Sequence, residues 1–208
     1  IIMKKTIVIF VMTLVSIGIY AQDGLKGIWF AGGQVEFSSS KQNVGNAEHK
    51  KTTTTILPIL GGFVSPSVAI GAGVGYMGGK TKIEGKQDSK SQTIIIKPLA
   101  RKYWNITGGL YFFAQAALPV SFGKTEGNNS DSKISSTAVN LELSPGFDYV
   151  INSWITIETS FTILNTGYTR DKPKDGKANS SFGFNVNPFN SVGDRTVGNL
   201  QLGIKFLF

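Results

Sequence analysis

The chain has 208 residues, 25 of them glycine, with 11% aromatic and 16% charged residues, no cysteine and a formal charge of +8. That profile is unusual for a cytosolic enzyme. The lack of cysteine excludes disulfides, thiolate metal sites, a cysteine nucleophile and the acylated cysteine of a bacterial lipoprotein.

In chain order, residues 1–21 read as a secretory signal peptide. Lys4 and Lys5 form its basic start, Ile7 to Ile19 its apolar stretch and Tyr20-Ala21 a small-residue exit, with Met3 as initiator. About 13 apolar positions fall short of the roughly 20 that a membrane-spanning helix requires. Residues 22–208 are then a single domain. No later apolar run approaches spanning length, so a mature membrane protein of this sequence has to be a closed barrel.

Strand-like alternation, in which successive side chains point to opposite faces, runs through most of the mature chain. It is approximate over residues 27–37, 52–64, 68–82 and 92–103, and cleaner over 110–122, 139–149, 155–163 and 200–208. In the last segment Leu200, Leu202, Ile204, Phe206 and Phe208 share one face and only Leu207 breaks the pattern. Connections at 65–67, near Asn105 and at 152–153 are short, whereas 38–51, 83–92, 124–134 and 169–196 read as long, solvated loops. The last contains an alternating Phe182–Asn187 stretch that fits either an extended final strand or a separate hairpin. Short turns at one end and long ones at the other, around an even number of strands, predict an all-β, eight-stranded antiparallel up-and-down transmembrane β-barrel.

A soluble sandwich alternates as well, so the polar face has to decide. Glu36, Lys97, Arg101, Gln115, Glu142, Asp148, Glu158 and Lys205 all fall opposite the apolar band. In a narrow eight-stranded lumen such charges require one another, which predicts a plugging network of Glu36, Lys97, Arg101, Glu142, Asp148, Glu158 and Lys205. Phe113 and Tyr111 point inward in the same register. Trp29, Tyr76, Tyr103, Trp104, Tyr149, Trp154 and Tyr168 lie near strand ends, as an interfacial girdle would.

No catalytic, cofactor or metal site is expected. Gly71, Gly73 and Gly75 have the spacing of a phosphate loop, but no helix pattern follows them. His49, beside Lys50 and Lys51, has no second histidine or cysteine to share a metal, and reads as a solvated loop residue. Glu142 and Glu158 are better read as lumen ion-pair members than as paired catalytic carboxylates. Loss of Lys4 and Lys5 takes the charge from +8 to +6, much of it on loop or rim lysines such as Lys80 and Lys124. For an exported barrel the nearest anions are lipopolysaccharide phosphates, and no nucleic-acid partner is expected.

The terminal Ile204, Phe206 and Phe208 resemble the carboxy-terminal signal recognised by the barrel assembly machinery. Together with Val68–Tyr76, Lys97–Tyr103 and Gly203–Phe208, they make residues 24–208 resemble the outer-membrane β-barrel domain family of the OmpA and OmpX type, particularly its Bacteroidetes members. The resemblance implies a location in the outer membrane of a Gram-negative envelope and a non-enzymatic role, structural or exercised through loops that meet lipid, lipopolysaccharide or a partner protein. A small porin-like channel and a secreted, soluble lipocalin-like barrel are the alternatives.

Overall fold

The computed structural model describes residues 25–44, 47–127, 133–174, 176–186, 189–192, 195–198 and 200–208. Residues 1–21, read from the sequence as a signal peptide, lie outside these. Among the described residues no helix is long and apolar enough to cross a membrane; those residues are built of strands.

Four long strands come first: β1 (Trp29–Val44), β2 (Ala47–Ser65), β3 (Val68–Ile83) and β4 (Lys86–Thr107). β5 (Leu110–Ala117) and β6 (Val120–Gly127) pair with the same neighbours in one register, Leu99 opposite Ala117 and Ile96 opposite Val120. They make a single barrel strand, divided where Pro119 has no N–H to give the ladder. β7 (Lys133–Asn152) follows, then β8 (Ile155–Phe161) and β9 (Leu164–Pro173). Both pair with β7, but the register slips one residue between Gly146 opposite Ser160 and Leu143 opposite Leu164. A bulge at Thr162-Ile163 therefore joins them into one barrel strand.

β10 (Asn179–Asn185) pairs with β9, β11 (Phe189–Val192) and β12 (Arg195–Gly198) form a hairpin, and β13 (Leu200–Leu207) pairs with both β8 and β1. That last pairing closes an eight-stranded antiparallel barrel. Its seam is short: β1 and β13 are registered at Phe30 opposite Leu207 and Ala31 opposite Phe206, while β1 and β2 are registered from Trp29 to Val44.

Three of the long solvated loops expected from composition are mostly ladder. β1 and β2 pair as far as Val44 opposite Ala47, β3 and β4 as far as Ile83 opposite Lys86, and β6 and β7 as far as Glu126 opposite Lys133. Beyond the membrane both faces of a strand meet water, so the apolar alternation that marks a strand disappears although its hydrogen bonds continue. The threonines at 52–55 suit such a two-sided polar strand. His49 is accordingly a β2 residue opposite Gln42 and Ile83, and not a loop residue. The Phe182 stretch is β10, paired alongside β9 as an extended strand.

The apolar stripe faces outward. Val35, Val74, Ile94, Leu202 and Ile204 are all more than half exposed. A soluble lipocalin-like barrel needs the opposite arrangement, so that alternative is excluded. Trp29, Tyr149 and Trp154 project outward at the end that holds the short turns, and Tyr76 and Tyr168 project outward farther along their strands. Tyr103 departs from the expected girdle, because it is buried inside the barrel. Leu207, the apparent break in the last alternation, is also an inward residue that packs in the core cluster.

Candidate functional site

Apart from Leu25, which precedes β1, the inward groups lie on strands whose alternate residues face outward, so the lumen is built by parity. At the short-turn end an apolar cluster fills it: Leu25, Phe30, Phe63, Ala69, Tyr103, Phe113 and Leu207, with Tyr111 packed alongside. Phe63 and Phe113 lean on Tyr103 with ring centroids 5.2 and 5.6 Å away. Gly61 and Gly146 make room for this packing, since a Cβ on either would run into the ring of Phe30 or Phe113. The glycines of β3 play a similar part, with Leu57 lying against Gly73 and Gly75.

Directly above lies a charged layer. Arg101 on β4 grips Glu158 on β8 with two nitrogens, at 2.5 and 3.1 Å, while its Nε donates to Gln115 Oε1 at 2.6 Å. Lys205 on β13 pairs with Asp148 and reaches Glu158 at 3.1 Å. Asp148 and Glu158 are direct cross-strand partners, a like-charge placement that is unfavourable alone and is offset here by the ammonium bound to both. Tyr103 OH accepts from Lys205 at 3.1 Å and from Arg101 at 3.3 Å, tying this layer to the apolar cluster. Arg101 also lies 4.7 Å from the centroid of the Phe113 ring.

A separate pair, Lys97 with Glu142 at 2.8 Å, lies farther toward the opposite mouth. Together the two sets place Lys97, Arg101 and Lys205 against Glu142, Asp148 and Glu158, so the charges cancel. Six of the seven residues expected in the network are thus brought into ion pairs. Glu36 is the exception: it is exposed on β1 opposite Thr55 and has no ion pair among the described residues. It lies beyond the short β1–β13 seam, where water supplies what a partner would.

Sequence reading overlooked Tyr103, Phe30, Phe63 and Leu207 as lumen residues, although parity contains the signal. Tyr103 shares the face of Lys97 and Arg101, and Leu207 that of Lys205. Ile204, Phe206 and Phe208 project outward, and Phe206 stacks on Trp154 at 6.1 Å. Phe208 exchanges two backbone hydrogen bonds with Trp29, at 2.8 and 2.9 Å, which makes the last residue part of the closure. Among the described residues no group of three or more His, Asp or Glu side chains is placed to hold a metal.

The model of the outer membrane protein beta-barrel domain matches residues 8–187. The chain belongs to this family. As an outer-membrane barrel protein it turns its exposed apolar stripe to lipid, and the ion pairs occupy the interior. Among solved structures it is similar to the outer membrane protein OprG from Pseudomonas aeruginosa, at 12% identity and a TM-score of 0.45, over 91% of this chain and 99% of that one. No curated protein matches it.

Proposed function

We propose that this outer-membrane barrel is a non-enzymatic envelope protein with a closed lumen, which acts through its wall and its outer crown and carries no solute or reaction. The observation that carries the reading is the layered filling of the interior: Phe30, Phe63, Tyr103 and Phe113 form an apolar stopper, and above it lies a charge-neutral set of ion pairs. Opening a path would require parting Arg101 from Glu158 and Lys205 from Asp148 in a poorly hydrated space, where separated charges are costly. The export signal at residues 1–21 delivers the chain. The exposed face of Ile204, Phe206 and Phe208 offers the barrel assembly machinery a recognition edge, and the crown formed by the far ends of β1 to β4, β6, β7, β9 and β10 is available to a partner protein.

The test is recovery of the protein in the outer-membrane fraction, a heat-dependent shift in gel mobility, and planar-bilayer recording of the detergent-purified barrel. The expected outcome is outer-membrane recovery, a mobility shift and no stable conductance. Steady single-channel steps from the unmodified protein would replace the closed barrel by the small-channel reading. That reading draws its support from the recess lined by Gln34, Lys97, Arg101, Gln115, Ser160 and Gln201 above the stopper.

A further inference from the structure

The outward face of one side of the barrel carries a concentrated row of lysines just past the apolar band. On β2, β3, β4 and β6 the even-numbered residues face outward, as the exposure of Ile56, Val74, Tyr76, Ile94 and Phe122 shows. Continuing along the same faces, Thr52 leads to Lys50, Tyr76 to Lys80 and Lys82, Ile94 to Lys90, and Phe122 to Lys124. Lys80 stands four positions beyond Tyr76, Lys90 four from Ile94 and Lys124 two from Phe122. At about 3.3 Å per residue along a tilted strand, this lifts the ammonium groups roughly 5–10 Å past the hydrocarbon edge, the depth of the headgroup region.

Register brings these lysines together. Lys50 is the direct cross-strand partner of Lys82, and Lys80 of Lys90. Like charges placed directly opposite one another on a sheet face are destabilising in water. The acids on this face do not pair with these lysines: Glu126, directly opposite Lys90, pairs with Lys133, Glu48 pairs with Lys41, and Asp88, exposed on β4 beside Lys90, has no ion pair among the described residues, so the cations outnumber the acids. Among the described residues Lys50, Lys80, Lys82, Lys90 and Lys124 have no ion-pair partner. On the far side of the barrel the cations are diluted, with Arg170 opposite Thr137 and Lys172 opposite Ser135.

We propose that this face, centred on Lys50, Lys80, Lys82 and Lys90, is a docking site for the phosphorylated head of an outer-leaflet glycolipid, with its acyl chains lying against Tyr76, Ile94 and Phe122 below. The proposal rests on the outer-membrane reading above, and charge complementarity at headgroup depth carries it. A multiply phosphorylated head neutralises both lysine pairs at once, and the neighbouring Thr52 and Gln92 hydroxyl and amide groups suit its sugar.

The experiment uses the full barrel reconstituted in phosphatidylcholine nanodiscs containing diphosphoryl lipid A, with bound lipid counted by native mass spectrometry. The quadruple variant K50Q/K80Q/K82Q/K90Q is expected to lose at least tenfold in apparent affinity. R170Q/K172Q, which alters outward cations on β9 across the barrel, is expected to bind as the unmodified protein does. Lipid A stripped of phosphate should bind the unmodified barrel no better than diphosphoryl lipid A binds the quadruple variant, and millimolar inorganic phosphate should not displace it. Equal binding by the quadruple variant, equal binding of the phosphate-free lipid, or full displacement by inorganic phosphate would each overturn the proposal. A preserved heat-dependent mobility shift shows that the variant has folded. Outer-membrane recovery is read separately, so a failure of location is distinguished from a failure of lipid recognition.

Discussion

Lys205 holds the lumen's charge balance, because a single ammonium spans two carboxylates that face each other across β7 and β8. Replacing it by methionine keeps the stem and leaves Asp148 beside Glu158 with only Arg101 to compensate. Loss of one partner from a buried pair costs about 3–5 kcal/mol, so Lys205→Met is expected to lower equilibrium stability in urea by that order. Adding Asp148→Asn should recover part of the loss, since one of the opposed charges is gone. A Lys205→Met barrel as stable as the unmodified one would mean that the interior is too well hydrated to need the pair. At the other extreme of burial, Phe208 is exposed yet bonded through its backbone to Trp29. Phe208→Ser is therefore expected to leave refolding in detergent nearly unchanged while reducing the assembled fraction in cells. An equal deficit in both settings would point to lost closure and would remove the assembly-signal role.

The strands differ in how well they are held. β3 lies between β2 and β4 along its whole length, whereas β1 is paired with β2 throughout but with the C-terminal strand only at Trp29, Phe30 and Ala31 among the described residues. Beyond that point Gln34 meets Gln201 through side chains at 2.7 Å. Amide hydrogen exchange follows local hydrogen bonding, so about half the β1 amides from Gly33 onward, those turned away from β2, are expected to exchange well before the amides of β3. Uniform protection of β1 would mean that the seam is zipped along its length in the membrane. The strands also show where alternation stops being informative. In β7 the chain from Leu141 to Tyr149 alternates between lipid and lumen and is readable, while Lys133 to Thr137 pairs just as regularly with no apolar face to reveal it. Composition suggested a loop through residue 134 because water on both sides removes the contrast, not because pairing ends.

At the scale of the molecule, an outward apolar stripe and a filled polar-and-aromatic interior fit one environment, a bilayer around the barrel. The expected absence of conductance belongs to this scale, since it depends on the whole cross-section and not on one residue. Alternation, the number of apolar segments and the placement of charged residues opposite them were enough to establish a barrel of eight strands with its charges inside, because period-two patterning is a property of each strand alone. Pairing was not. That Lys97 meets Glu142 while Arg101 and Lys205 share Glu158 depends on register across strands distant in sequence. That Tyr103 and Leu207 enter the lumen, and that Glu36 stays outside the network, depends on which strands close against which. Only the tertiary structure decided those, because side chains on one face acquire neighbours when the sheet curls shut and its first and last strands come together.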